Sequence, residues 1–249
     1  MPITARSLYR DSVNFFRFQL TPIVLLALLT AFISVMLNQA LSPVAQAISE
    51  LSSGDSISAA RRSPEMIRQM TPEQQMTLLK VLAASSFLVL IGNSLLPGGM
   101  LMLIPQASSG IRLSALRAIV FSAPMLPRLL LLMLLCTLMV QLGITLFILP
   151  GIILTVGLAL SPMIVITEHC GVIATIRSSF RLSFANVRLI SPAILLWMLM
   201  KLVLLLLVDT LAALHPSLGM VIMGTLSNLI SAGLIIYLSR LYMLLRAPA

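Results

Sequence analysis

Two triplets of arginine are the residues of this 249-residue chain whose type and spacing point most directly to chemistry. Arg6, Arg10 and Arg17 recur with the same spacing as Arg177, Arg181 and Arg188. At about 100° per helical residue, those steps gather each triplet into a stripe about 40° wide. Ile173, Ile176, Phe180, Phe184 and Val187 form an adjacent apolar stripe, while Ser178, Ser179, Ser183 and Asn186 lie on or toward the far side and Leu182 breaks the pattern. This is the layout of a helix lying in the headgroup region, apolar side down, with arginines placed to meet lipid phosphates. Two roles fit: anchoring the neighbouring spans, or binding anionic headgroups as part of handling lipid.

A second set of polar residues lies inside apolar runs. Lys201 is the ionisable group nearest a mid-span position, where a charge costs about 2.5–3.5 kcal/mol on insertion scales and marks a functional candidate. Snorkelling toward Asp209, bonding to a neighbouring helix and lining a lipid or solute site are the readings it admits. Asn93, Gln141 and Asn228 are expected to make interhelical hydrogen bonds, because an unpaired amide in lipid is costly. Gly224, Asn228 and Ala232 recur every four residues and mark a close-packing face.

Catalytic constellations are absent from the sequence. His169 and His215 fall on opposite sides of the expected membrane, and neither belongs to a nucleophile arrangement above chance. There is no phosphate-binding glycine loop and no carboxylate pair. Cys136 and Cys170 match no metal spacing, and the methionines are scattered through apolar runs. No enzymatic activity, cofactor, metal or disulfide is expected.

The elements that must position these groups follow from composition. Apolar residues make up 59% of the chain, charged residues 9%, and mean hydropathy is +1.08. A soluble domain carries about 25% charged residues to cover its exterior; here lipid must cover it. The excess of 16 basic over 7 acidic residues comes mostly from single arginines beside apolar runs, which argues for a membrane lipid partner and against nucleic acid. The predicted fold is all-α, a single membrane domain over 1–249. Six transmembrane helices are expected near 20–41, 82–104, 129–149, 152–167, 189–208 and 219–238. The run Leu129–Thr167 would extend roughly 58 Å as one helix, so Pro150-Gly151 is read as the turn of a hairpin. A re-entrant 152–167 is the competing arrangement. The first run resembles a signal peptide, but its apolar core of about 22 residues exceeds the usual 7–15, and an uncleaved anchor fits better.

Orientation follows from charge. Arg6, Arg10, Arg17, Arg112, Arg117, Arg128, Arg177, Arg181, Arg188, Arg240 and Arg246 share one side with only Asp11 and Glu168. Arg61, Arg62, Arg68 and Lys80 share the other with Glu50, Asp55, Glu65, Glu73 and Asp209. The positive-inside rule puts both termini in the cytoplasm. The outer loop, 42–77, is either a connector or a periplasmic docking site; within it, Thr71-Pro72-Glu73-Gln74 predicts a helix start running into the second span.

The arginine spacing also exposes an internal repeat. At an offset of 171, Ser7 and Ser12 match Ser178 and Ser183, while Tyr9, Val13 and Phe16 align with Phe180, Phe184 and Val187. Pro22 and Pro192 then follow, Ser114-Ala115-Leu116-Arg117 begins a weaker copy, and Asn93/Gly98 and Asn228/Gly233 share one spacing. Three pseudo-repeated hairpins are expected, each preceded by a cytoplasmic interfacial amphipathic helix.

Several stretches carry a family resemblance: Tyr9-Arg10-Asp11, Asn14-Phe15-Phe16-Arg17, Ser114 to Ile119, Pro150-Gly151-Ile152-Ile153, Arg177-Ser178-Ser179, Leu226 to Ser231 and Arg240-Leu241-Tyr242-Met243. With these the chain resembles the YciC family of uncharacterised enterobacterial inner-membrane proteins. The resemblance implies a multi-pass inner-membrane location and supplies no activity or catalytic residue. The repeated helix-plus-hairpin also resembles membrane domains fused to glycerophosphodiester phosphodiesterases, an analogy of fold alone. The expected function is organising or handling anionic phospholipid in the envelope. The alternatives are a small-solute transporter or channel around Lys201, Asn93 and Asn228, or a structural assembly partner. Reporter fusions test the topology: those near residues 115 and 185 should report cytoplasm, and those near 60, 150 and 215 periplasm. A cytoplasmic signal near 150 would sink the hairpin.

Overall fold

The structure, a computed structural model, describes residues 5–51, 71–108, 115–168, 170–207 and 216–246. Lipid offers the backbone no hydrogen-bonding partner, so an apolar chain must satisfy its N–H and C=O groups internally. Every element among the described residues is accordingly helical. In order they are α1 (Ala5–Phe18), α2 (Leu20–Leu51), α3 (Pro72–Ser108), α4 (Ala115–Ser122), a 3₁₀ turn (Ala123–Met125), α5 (Leu126–Leu146), α6 (Ile148–Leu158), α7 (Ser161–Glu168), α8 (Val172–Ala185), α9 (Val187–Leu206) and α10 (Pro216–Arg246). Five stretches of the described residues are long and apolar enough to cross a membrane: Leu20–Leu37, Arg117–Thr145, Leu149–Glu168, Val187–Leu206 and Gly219–Arg246. The expected span 82–104 lies inside the 37-residue α3 and is not among those five.

Helix α10 is the axis of the bundle, packing against α1, α2, α3 and α9. A Cβ on Gly224 would lie 3.2 Å from the Ala31 methyl. One turn along, Asn228 reaches the Ala27 carbonyl. Each advance along α2 is therefore matched by a retreat along α10, the signature of an antiparallel pair. Helix α9 pairs the same way on another face, with Trp197 against Ser231 and Lys201 against Ser227. Helix α3 runs antiparallel to α2, where Gly92 faces Ser34 and Gly99 faces Leu26. The core between them holds Ile23, Leu26, Leu96, Met100, Ile104, Ala232 and Ile236, all buried.

The N-terminal helix departs from expectation. Its break from α2 falls at Gln19 because Pro22 has no N–H to offer the Phe18 carbonyl, yet Gln19 N–H still bonds Phe15 O at 2.9 Å. Helix α1 thus continues beside α10: Leu8, Ser12 and Phe15 are buried, and the Arg240 guanidinium lies 4.6 Å from the Phe15 ring centroid. One face of α1 thus rests on protein, while Tyr9, Val13 and Phe18 stay exposed.

A second correction concerns α8. Thr175, Ser179 and Ser183, the latter two assigned to its far side, are its buried residues. Ser179 Oγ donates to Gly157 O across the contact with α6 at 2.8 Å. Phe184 and Ile173, of the apolar stripe expected to face lipid, are exposed.

The hairpin turn also moves. The chain reverses at Phe147, which is extended (φ −160°, ψ 148°), three residues before Pro150-Gly151. Pro150 sits in the first turn of α6, where its missing N–H costs nothing. Gly151 serves contact: a Cβ there would meet Ile144 Cγ1 at 2.3 Å and the Ile144 amide nitrogen at 3.0 Å. The returning arm, expected as one helix over 152–167, is two helices bent at Ala159-Leu160. Pro162 accounts for the bend, since it cannot bond Leu158 O.

The expected outer loop 42–77 is shorter than its bounds, because α2 extends to Leu51 and α3 begins at Pro72, the position marked by Thr71-Pro72. The segment 52–70, with Ser63-Pro64-Glu65, lies outside the described residues, as do Arg112, His169, Asp209 and His215.

Gly151→Leu should destabilise the hairpin by about 1–3 kcal/mol or more through overpacking. Gly171→Ser, at an N-cap with open space around it, should change stability by only a few tenths. Thermal unfolding of both variants in detergent, followed by gel filtration, checks the contrast.

Candidate functional site

The described acidic groups on the arginine-rich side are both engaged. Asp11 Oδ2 lies 3.6 Å from Arg240 Nε, joining α1 to α10. Glu168, at the end of α7, accepts from Arg246 and, at 2.8 Å, from the Tyr242 hydroxyl. Thr167 Oγ1 lies 3.1 Å from the same hydroxyl. This cluster, separated by more than seventy residues in sequence, ties the end of α7 to the end of α10 and borders a cavity of about 550 Å³ with Met102, Met163 and Met243. No sequence signal marked it beyond the isolated position of Glu168.

With those acids taken, Arg6, Arg10, Arg17, Arg177, Arg181 and Arg188 are exposed, and none makes an ion pair among the described residues. The first two border a surface depression of about 430 Å³ with Tyr9, Val13 and Asn14. Tyr9 and Val13 also line a larger groove of about 530 Å³ between α1, α9 and α10. The groove and the arginine depression therefore share a wall.

The intramembrane candidates do not converge. Asn228 Nδ2 donates to Ala27 O at 3.1 Å and to Thr30 Oγ1 at 3.0 Å, bonding α10 to α2. Thr30 in turn returns its hydroxyl to Leu26 O at 2.8 Å. Lys201 is half-buried on the opposite pairing, bonded to Ser227 Oγ, with its ammonium 5.6 Å from the Trp197 ring centroid. Asn93 and Gln141, expected to bond between helices, are both exposed. In each case the neighbour at the helix contact is something else: Gly92 and Ser94 beside Asn93 are buried, and Gly143 beside Gln141 makes the close approach to α6. None of the three cavities described above is lined by Lys201, Asn93 or Asn228.

Cys136 and Cys170 are free, and no cluster of His, Cys, Asp or Glu that could hold a metal occurs among the described residues. Apolar helices whose partners meet through small and polar side chains define the class, a helical membrane protein. Within it, the chain belongs to the uncharacterised protein family UPF0259, whose model matches residues 1–244. It is 57% identical over 250 residues to a UPF0259 membrane protein of Serratia proteamaculans (strain 568), covering 99% of this chain and 100% of the relative. A UPF0259 membrane protein of Yersinia pestis (strain Pestoides F) is 53% identical over 249 residues, covering 99% and 97%. No solved structure matches.

Replacing Asn228 with leucine removes the side-chain bonds between α10 and α2. Interhelical bonds of this kind average about 0.6 kcal/mol and reach about 1.7. The variant should lose stability within that range in steric-trap or thermal measurements in bicelles, and Thr30→Val in the same background should add little.

Proposed function

We propose that this protein is a non-enzymatic component of the bacterial inner membrane that gathers anionic phospholipid on an arginine-bearing cytoplasmic face. The single observation that carries the reading is the division of charge: Asp11 and Glu168 are held by Arg240 and Arg246, while six other arginines stand exposed without acidic partners among the described residues. Guanidinium groups at the membrane surface attract anionic headgroups by about 1 kcal/mol each. Counter-charge from lipid is the complement this surface lacks among the described residues. Nothing in the reading requires a cofactor, nucleic acid or a catalytic residue.

The topology that goes with it has six spans, α3 supplying the one near 82–104, with both termini cytoplasmic. Three related hairpins underlie it. Two observations support the relation: at the offset of 171, Leu8 and Ser12 of α1 correspond to Ser179 and Ser183 of α8, and all four are buried. Helices α2 and α9, which follow α1 and α8, both pair antiparallel with α10. The docking partners differ, α10 for α1 and α6 with α7 for α8.

Replacing Arg177, Arg181 and Arg188 together with glutamine should lower the ratio of copurifying phosphatidylglycerol to phosphatidylethanolamine. At about 1 kcal/mol per residue, the loss is at least tenfold in affinity for anionic membrane. Lipid extraction and mass spectrometry of the purified protein measure it, and an unchanged ratio together with an unchanged deletion phenotype rejects the reading.

A further inference from the structure

The groove between α1, α9 and α10 has the form of a binding site for one lipid chain. Its volume of about 530 Å³ falls within the range of about 300–1,000 Å³ typical of ligand pockets. Tyr9, Val13 and Phe16 form one wall, Pro192 and Trp197 the other, and Gly233 lies in the floor. A Cβ built on Gly233 meets nothing within 4 Å, so this floor is open space where a larger side chain would project.

Water is a poor occupant for such a wall. Three of the four polar side chains that line it are committed elsewhere: Tyr237 Oη donates to Leu189 O at 2.9 Å, Trp197 Nε1 reaches Ser231 Oγ at 3.4 Å, and Ser12 Oγ donates to Leu8 O at 2.8 Å, while Tyr9 is the fourth. What faces the groove is mostly hydrocarbon and ring surface, the lining an acyl chain requires. From Leu229 to Tyr237, the floor rises about 12 Å along α10 at 1.5 Å per residue. A single leaflet of hydrocarbon is about 15 Å deep, half the core thickness.

Charge complementarity identifies the headgroup. The groove's α1 wall continues through Tyr9 and Val13 into the depression bordered by Arg6, Arg10 and Asn14. We infer that this groove binds one acyl chain of an anionic phospholipid, whose phosphate is met by Arg6 and Arg10. The inference rests on the proposed lipid-gathering role and adds a specific seat, distinct from the arginines of α8.

The site is tested with phosphatidylglycerol carrying a diazirine on one acyl chain, photolysed with the full-length protein in nanodiscs, the labelled peptides being mapped by mass spectrometry. Label should concentrate on 192–200 and 229–237. In Gly233→Leu it should fall roughly tenfold, as expected from displacing about two methylenes at about 0.8 kcal/mol each. Gly233→Ala, which adds only a methyl in open space, should retain most of the label. Elution of Gly233→Leu as a monodisperse species with unchanged helicity establishes that it folds. Arg6→Gln with Arg10→Gln should reduce labelling, and the same diazirine on phosphatidylcholine should label the groove more weakly.

Label spread evenly over all exposed helices, or unaltered by Gly233→Leu in a folded protein, overturns the site. If the α8 arginine variant still alters the copurified lipid ratio, the broader reading survives that failure. If phosphatidylcholine labels the groove as strongly as phosphatidylglycerol, the assignment to an anionic lipid is overturned.

Discussion

The pairing of α10 with α2 through Asn228 sets the positions of the other helices. An amide inside lipid must find partners, and Asn228 finds the Ala27 carbonyl and the Thr30 hydroxyl. That carbonyl can accept it because a helical C=O keeps a second lone pair after its ladder bond. Gly224 and Ala232, one turn either side, are small enough to let the backbones close to that distance. With this stripe fixed on α2, the remaining surface of α10 is divided by helical geometry. Ser227 and Ser231 precede Asn228 and Ala232 by one residue, about 100° around the helix, and there they meet Lys201 and Trp197 of α9. Leu229, Gly233 and Tyr237 follow by one residue and form the floor of the groove. A central helix clasped on two faces therefore leaves an open trough on a third.

How much of this was legible depended on whether a residue's role is local. The Gly224-Asn228-Ala232 face was readable because small and amide residues at intervals of four have one use in lipid. The start of α3 at Pro72 was readable because proline at the first helical position is a local preference. Ser179 and Ser183 were misplaced because serine in a surface helix ordinarily faces water, whereas between membrane helices a small hydroxyl is a packing residue that can bond a neighbouring carbonyl, as Ser179 does with Gly157. Pro150-Gly151 was misread for a related reason. A helix start tolerates proline and a helix crossing needs glycine, so the pair marks the contact after the turn at Phe147. Asn93 and Gln141 lie one and two residues from the small residues that make the helix contacts, so single-residue register decided their exposure. The Glu168–Tyr242–Arg246 cluster has no local signature at all, since it exists only once α7 and α10 are brought together.

The same geometry sorts the charges. Asp11 follows Arg10 directly in sequence but cannot face it, because consecutive helical residues point about 100° apart. Docking of α1 on α10 turns Asp11 toward Arg240 instead, where the guanidinium also lies over Phe15. Glu168 is turned toward Arg246 by the bend at Ala159-Leu160 and the packing of α7 against its neighbours. Both acids thus serve joints between helices, and neither neutralises an arginine stripe. What remains on the stripes is self-repelling: Arg6 with Arg10, and Arg177 with Arg181, are like charges four apart, an arrangement that destabilises a helix by about 0.2–0.5 kcal/mol. A chain that spends its nearby acids on tertiary contacts and retains this repulsion twice gains stability from any anion outside itself that meets the stripe. Anionic headgroups are the counter-ions a membrane surface supplies at high local density, so the packing of α1 and α7 and the proposed affinity of this face for lipid would arise from one allocation of charge.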